Sequence, residues 1–343
     1  MADTIVAPAL TPKDFATDQD IRWCPGCGDY SILKQVHTIL PQLGLKQEDI
    51  VFISGIGCSS RFPYYTETFG MHSIHGRATA VASGLKATRP ELSVWIVTGD
   101  GDALSIGGNH TIHLLRRNFD VNVLLFNNQI YGLTKGQYSP TSEEHKITKS
   151  TPYGSLDHPF NPIALALGAD ASFVARSIDR DPAHLQSMLL SSYKHKGSSF
   201  LEIYQNCNIF NDGTFEIFTE KNVKKQNTLM LTHGKPLVFG ENNEKGIRLN
   251  GLTPEVVTIG EECSLEDLMI HDETDLNKAW IIARFFDDPS KEKFFPRPFG
   301  IFYKNSRPCY EDVMKAQMEE VIAKKGKGDL NKLLAGNETW TVA

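Results

Sequence analysis

Five short apolar runs, each joined to the next through a stretch of helical spacing, constrain the fold of this 343-residue chain more than any other feature. "DIVFIS" (Asp49–Ser54), "SVWIVT" (Ser93–Thr98), "VNVLLF" (Val121–Phe126), "ASFVA" (Ala171–Ala175) and "SFLEIY" (Ser199–Tyr204) are short, β-branched or aromatic, and bounded by Gly, Pro or Asn. Such runs are buried strands. Between them Tyr30–Leu43, Ala78–Thr88, Ala103–Arg117, Pro162–Gly168 and Pro182–His195 repeat apolar residues at helical intervals. Strand alternating with helix implies an α/β fold built on a doubly wound parallel sheet. After about residue 211 the pattern dissolves into Gly- and Asn-rich loops, followed by a helix at Glu311–Ala323. The expected organisation is an α/β domain over residues 1–210 and a C-terminal extension over 211–343. That extension would pack on the first domain and on a partner rather than form a core of its own.

Composition narrows the function classes. A net charge of −6, with no Lys/Arg run, speaks against nucleic-acid binding. The opening "MADTIVAPAL" carries an acid where a signal peptide carries bases, and no apolar run reaches 18 residues, so the expected location is the cytoplasm, with no membrane span. In that reducing compartment cysteine pairs serve metals or catalysis more often than disulfides.

In an open parallel sheet, ligands collect at the carboxyl ends of the strands. Four of the predicted strands run there into "GIGCSSR", "GDGD", "NNQIYGLTKGQ" and "QNCN". In "GDGD" (Gly99–Asp102) the glycines let the backbone approach a phosphate at the start of a helix. Asp100, Asn128 and the Ile130 carbonyl offer hard oxygens of the kind Mg²⁺ takes beside a diphosphate. A lone Gly-Asp-Gly is usually a plain turn. Here 25 residues, one helix and one strand, separate Gly101 from Asn127, a spacing that resembles the thiamine diphosphate motif. A dinucleotide site fits poorly, because "GIGCSS" lacks the third glycine of its fingerprint and no acid ends the next strand.

"RWCPGCGDY" (Arg22–Tyr30) holds Cys24 and Cys27. A thioredoxin-type dithiol wants a strand before the pair and a helix starting at its first cysteine; the preceding segment is polar and irregular. A Cys₄ zinc site would show a second close pair. Instead Cys58 and Cys207 fall in loops at the carboxyl edge, and four soft thiolates arriving from separate loops suit an iron–sulfur cluster. Cys263 and Cys309 read as small buried hydrophobes. His110 and His113, three apart on a predicted helix, read as a coincidence of spacing. Arg61 could grip a carboxylate or lie in a surface ion pair; His75 could touch a coenzyme or cap the following helix.

Together "WCPGCGDY", "GIGCSSR", "HGRATAVASGLK", "GDGDALSIGGNH", "NNQIYGLTKGQYSPT" and Cys207 resemble the β subunits of 2-oxoacid:ferredoxin oxidoreductases, most of all the 2-oxoglutarate-specific members. The resemblance runs from about Ile21 to Gly251. It implies one 4Fe–4S cluster on Cys24, Cys27, Cys58 and Cys207. It implies Mg²⁺ on Asp100, Asn128 and the Ile130 carbonyl. Thiamine diphosphate would lie against Ile56, Gly57, Cys58, Ser59, His75, Gly99, Gly101, Asp102, Asn128, Gly132, Leu133 and Thr134, with Arg61 and His75 facing the substrate. The implied reaction is oxidative decarboxylation of a 2-oxoacid with coenzyme A to acyl-CoA and CO₂, electrons leaving singly for ferredoxin. Pyruvate and branched-chain 2-oxoacids are the alternative substrates, and a non-catalytic iron–sulfur carrier is the alternative role. Only one thiamine-type domain and no eight-iron cysteine pattern are present in the sequence. A partner α subunit is therefore expected to complete the coenzyme site.

Overall fold

The computed structural model describes residues 10–285 and 289–340. Its centre is an eight-stranded sheet. Six strands come from the α/β region: β1 (Ile50–Ser54), β2 (Phe69–His72), β3 (Ser93–Gly99), β4 (Val121–Asn127), β5 (Phe173–Ile178) and β6 (Ser199–Tyr204). After these come β7 (Thr228–Met230), β8 (Val238–Phe239), β9 (Lys245–Asn250), β10 (Thr253–Thr258) and β11 (Arg297–Lys304). The order across the sheet is β2-β1-β3-β4-β6-β5-β11-β7, while β10-β9-β8 form a separate three-stranded sheet. The first six strands are mutually parallel; β11 runs antiparallel to β5.

The central strands alternate their side chains between two apolar layers, as the twofold period of a strand requires. Val94 and Ile96 of β3, with Val121, Val123 and Leu125 of β4, face one core; Trp95 and Val97, with Leu124 and Phe126, face the other. Helices α1 (Asp29–Ile39) and α5 (Pro182–Lys194) cover the second layer. Helices α2 (Ala78–Thr88), α3 (Gly108–Arg117) and α4 (Pro162–Gly168) cover the first. Full burial of each such Val, Leu or Ile contributes about 1.5–3 kcal/mol, so a sheet covered on both faces is a rigid platform for its loops.

The differences from expectation have local causes. The predicted strand Ala171–Ala175 lies instead at Phe173–Ile178, where Arg176 and Ser177 are buried despite their polarity. Strand β2 escaped notice because its "FGMH" is an exposed edge with no apolar alternation. The helix predicted from Tyr30 to Leu43 ends at Ile39, and Pro41 lies in the 3₁₀ turn that follows. The helix predicted over Ala103–Arg117 is interrupted: Asp102–Ile106 forms a π turn and the α-helix restarts at Gly108.

The chain beyond residue 211 adds to the same platform. Strands β11 and β7 extend the main sheet. Leu229, Leu237, Phe239, Ile247, Ile282 and Phe302 join the core layer that contains Val94 and Val123. The predicted helix Glu311–Ala323 appears as Tyr310–Lys325. No helix among the described residues is long and apolar enough to cross a membrane.

Candidate cofactor site at the carboxyl edge

Past β1 the chain turns through Gly55–Cys58 into a 3₁₀ turn, Ser59–Tyr64. Gly57 has φ of +139°, a conformation that L side chains rarely adopt. This loop is held from below by Asp102. Asp102 Oδ1 accepts from Ile56 N at 3.1 Å, Gly76 N at 2.7 Å and the His75 ring, and Oδ2 accepts from Thr98 Oγ1 at 2.8 Å. Asp102 was expected against the coenzyme, yet it is 3 % exposed with both oxygens engaged inside the protein. It shapes the Gly-rich loop and orients His75. Bringing His75 and Gly76 against this helix start requires glycine: a Cβ on Gly76 would lie 2.6 Å from Gly107 N.

Past β3, Asp100 is 2 % exposed, and its Oδ2 accepts hydroxyl hydrogen bonds from Ser139 and Thr141, each at 2.5 Å. Burial pushes the Asp100 carboxyl up to about 6, against the pull of those two hydroxyls. Past β4, Asn127 and Asn128 point into different networks. Asn127 Nδ2 donates to Glu202 Oε1 at 2.7 Å, and Asn127 Oδ1 accepts from Thr141 Oγ1 at 2.9 Å. Asn128 Oδ1 accepts from Ile130 N at 3.2 Å. Gln129 between them adopts φ of +55°, a strained position for a non-glycine residue. Its carbonyl accepts from Ser142 Oγ at 2.6 Å. Tyr131 OH reaches back to Gly101 O at 3.1 Å and ties the two loops together. Asp100, Asn128 and Ile130 thus belong to one hydroxyl- and amide-laced loop cluster. Their oxygens are the hard donors that Mg²⁺ prefers, so the donor set fits that ion.

Cys24, Cys27, Cys58 and Cys207 line one cavity of about 210 Å³, together with Trp23, Arg61, Asn128, Gly132, Leu133, Gln205 and Phe210. The four thiols are free, Cys24 exposed and the others half-buried. Cys27 lies within the loop that Asn206 O ties down through Gly28 N at 3.1 Å, and the Cys58 carbonyl accepts from Trp23 Nε1 at 2.6 Å. A Cβ on Gly132 would sit 3.5 Å from Cys58 Sγ and 3.7 Å from Cys207 Sγ, so the glycine keeps the cavity open. Burial pushes the Cys58 thiol up to about 12, helped by the Asp29 carboxylate; burial also raises Cys27. Desolvated thiols of this kind ionise when a bound cation balances them. No carboxylate or imidazole lines the cavity, and that all-thiol donor set fits an iron–sulfur cluster. Among the described residues no three His, Cys, Asp or Glu side chains are grouped as a single metal ion would need. A lone tetrahedral ion would require sulfurs about 3.8 Å apart, from a Zn–S distance of about 2.3 Å.

A second cavity of about 580 Å³ adjoins the first. Ile56, Gly57, Arg61, Tyr64, Tyr65, His72 and Leu133 line it together with the acidic Asp18 and Asp20, and Arg22, Arg61 and Leu133 border both. Among the described residues no carboxylate pairs with the Arg61 guanidinium. It is a partly buried cation in the wall common to both cavities, one of which also holds Asp18 and Asp20. Ser59 is buried, with its Oγ 3.7 Å from where a Cβ on Gly99 would be. Thr134 is exposed and bonds the Gln137 side chain, and Leu133 is half-exposed. Among the described residues His110 and His113 belong to no metal-like group. Cys309 is buried as expected, while Cys263 is only half-buried in the turn after β10.

Ser139 and Thr141 entered the sequence reading only as the end of "NNQIYGLTKGQYSPT", and Glu202 only as part of a strand; their bracing of the Asp100 and Asn127 side chains was missed. Nothing local marks that role, since they reach the site from 39, 41 and 75 positions further along the chain. Gln205 was noticed only as part of "QNCN".

Residues 55–203 match the thiamine pyrophosphate enzyme, C-terminal TPP binding domain. The chain is 52 % identical over 334 residues to the 2-oxoglutarate oxidoreductase subunit KorB of Mycobacterium tuberculosis, covering 96 % of this chain and 88 % of that one. It is 41 % identical over 209 residues to the 2-oxoacid:ferredoxin oxidoreductase subunit beta of a Sulfolobus species, covering 60 % of this chain and 68 % of that one. The solved 2-oxoglutarate:ferredoxin oxidoreductase from Magnetococcus marinus, with 2-oxoglutarate, coenzyme A and succinyl-CoA bound, superposes with a TM-score of 0.74. That match has 32 % identity and covers 96 % of this chain and 97 % of that one. With a near-full-length relative at this identity, and with the thiamine-type domain placed on the sheet edge just described, the chain belongs to the β subunits of the 2-oxoacid:ferredoxin oxidoreductases.

Proposed function

We propose that this chain is the thiamine- and cluster-binding subunit of an enzyme that oxidatively decarboxylates 2-oxoglutarate with coenzyme A and passes the electrons to ferredoxin. What carries this reading is the side-by-side placement of two donor sets of opposite character on one sheet edge. Hard oxygens of Asp100, Asn128 and Ile130 would hold Mg²⁺ and the coenzyme diphosphate, and the thiols of Cys24, Cys27, Cys58 and Cys207 would hold one 4Fe–4S cluster. When bound, thiamine diphosphate supplies the electron sink for decarboxylation and the cluster accepts electrons one at a time. The protein's own contribution is position. Asp102 holds the Ile56–Gly57 backbone and His75 against the coenzyme loop. Arg61 presents a guanidinium fork in the wall shared by the two cavities, where it can bind a carboxylate in bidentate fashion. A partner α subunit supplies the second half of the coenzyme site, and residues 211–343 take part in contacting it.

The preference for 2-oxoglutarate draws on the names of the Mycobacterium tuberculosis and Magnetococcus marinus relatives. The test is reduction of a viologen dye by the co-purified αβ complex, under anaerobic conditions with coenzyme A, over 2-oxoglutarate, pyruvate and branched-chain 2-oxoacids. Highest kcat/KM with 2-oxoglutarate is expected. A preference for pyruvate would overturn the substrate assignment, and a complex that binds iron but reduces no dye with any 2-oxoacid would overturn the enzymatic reading.

A further inference from the structure

Gln205 follows the last residue of β6 and is 1 % exposed. Strands β4 and β6 are in register with Asn127 opposite Tyr204, and Gln205 N donates to Asn127 O at 2.9 Å. That register sets Gln205 beside Asn128 on one side and the Cys24–Cys27 loop on the other. Its side-chain amide spans the gap. Nε2 donates to Asn206 O at 2.7 Å and to Cys27 Sγ at 3.2 Å, and Oε1 accepts from Asn128 Nδ2 at 2.9 Å.

The order of these atoms is dictated by chemistry. A backbone carbonyl only accepts, so Asn206 O requires the amino end of Gln205, whose second hydrogen is left for the sulfur. The carbonyl end then faces Asn128, which must answer with its own amino group. Asn128 Oδ1 is thereby turned away from Gln205 and toward Ile130 N, from which it accepts at 3.2 Å, leaving a second lone pair for an ion.

We infer that Gln205 is a positioning residue shared by both cofactor sites: its amide donates to the Cys27 thiolate, raising the cluster's reduction potential, and its carbonyl aims the Asn128 oxygen at Mg²⁺. The inference rests on the assignment of Cys27 and Asn128 proposed above. Hydrogen bonds to ligand sulfur favour the reduced cluster, because an N–H dipole stabilises the added negative charge.

The experiment compares Gln205→Glu and Gln205→Leu with the unaltered αβ complex. Glutamate keeps an acceptor for Asn128 Nδ2, removes the donors to Cys27 and Asn206 O, and adds a negative charge beside the sulfur; leucine removes acceptor and donors without adding charge. In EPR-monitored redox titrations both variants should shift the one-electron reduction equilibrium about tenfold toward the oxidised cluster, which is a fall of about 59 mV. Thiamine diphosphate affinity in Mg²⁺, followed by tryptophan fluorescence, should fall about tenfold or more for leucine and stay within about twofold for glutamate. Variants with full iron and an unchanged potential would overturn the inference and leave the cluster assignment standing. An unaltered complex without iron would overturn both. A third reading needs no substitution: pulsed EPR of the reduced unaltered complex, grown with glutamine labelled with ¹⁵N in the side-chain amide, should show a nitrogen coupling. Its absence would overturn the hydrogen bond to Cys27 whatever the variants do.

Discussion

The buried ion pair between Arg176 and Glu202 makes a prediction whose size the structure sets. The two residues stand opposite each other on β5 and β6, 3 % and 0 % exposed, with Arg176 Nε donating to Glu202 Oε2 at 2.7 Å. Arg176 also donates to Pro298 O at 3.1 Å and lies over the rings of Tyr204 and Phe302, each at 5.2 Å. Glu202 spends its other oxygen on Asn127 Nδ2. Removing either member strands a charge in the core, so Glu202→Leu and Arg176→Met should each cost about 3–5 kcal/mol. The double variant strands no charge. What remains is the orphaned amide of Asn127, about 1–3 kcal/mol for an unsatisfied buried donor, together with the Pro298 carbonyl, which loses the donor Arg176 gave it. The double variant should therefore be more stable than either single one, and at least about 3 kcal/mol better than the sum of the two. Urea denaturation of the full chain at neutral pH, read by tryptophan fluorescence, measures this cycle. Equality between the double variant and that sum would refute the reasoning, as would a cost below about 1 kcal/mol for Glu202→Leu.

Cys24→Ser, Cys27→Ser, Cys58→Ser or Cys207→Ser should each bleach the protein, whereas Cys263→Ser or Cys309→Ser should leave iron and sulfide unchanged; full iron in Cys207→Ser would refute the ligand set. Asp100→Ala should lower thiamine diphosphate affinity about tenfold or more with the iron–sulfur absorbance intact, and isothermal titration would expose an unaffected site. Losing a charge-assisted contact of about 1.5–3 kcal/mol, Arg61→Ala should cost about 10- to 150-fold in kcat/KM for 2-oxoglutarate and much less for pyruvate; an equal loss would place Arg61 on the carboxylate common to both. Burial holds the His37 imidazole down to about 4 from its usual 6.5, so the unfolded chain binds the proton that the folded one refuses. Stability is then complete above about pH 6.5 and falls toward pH 4, by up to about 1.4 kcal/mol per pH unit for this residue. His195, depressed to about 4 as well, acts in the same direction, so His37→Gln should lessen the acid-side decline of the urea midpoint; an unaltered slope would show that His37 does not contribute to it.

The six-stranded parallel part of the sheet was readable wherever burial writes itself as an apolar run. Strands β1, β3, β4 and β6 stand within a residue of the predicted ends, and β5 was displaced because Arg176 and Ser177 hide inside it. Strand β11, "RPFGIFYK", resisted because a Pro and a Gly interrupt it and because β5, against which it pairs, lies far upstream in the chain. The site divides along the same line. Glycine-rich loops and cysteines announce themselves through local conformational and chemical demands. The inward turn of Asp102 and the hydroxyls on Asp100 depend on residues brought in by the fold. The Gly107–Gly108 interruption, which seats Asp102 in a π turn, looks in sequence like ordinary helix continuation.

The antiparallel strand β11 has a consequence for how the protein is born. Arg176 of β5 donates to Pro298 O, 122 positions later in the chain. A ribosome adding about 5–20 residues per second needs about 6–24 s to cover that distance. Throughout that interval β5 presents an unpaired edge, a ready template for strand pairing with a neighbouring nascent chain. Arg176 sits on that edge with its charge. Before β11 covers it, the guanidinium, with Glu202 of β6 only 26 positions further along the chain, is a gatekeeper against such pairing; once β11 pairs with β5 it is sealed in the core. The same side chain that constrains the finished fold thus also guards the unfinished one.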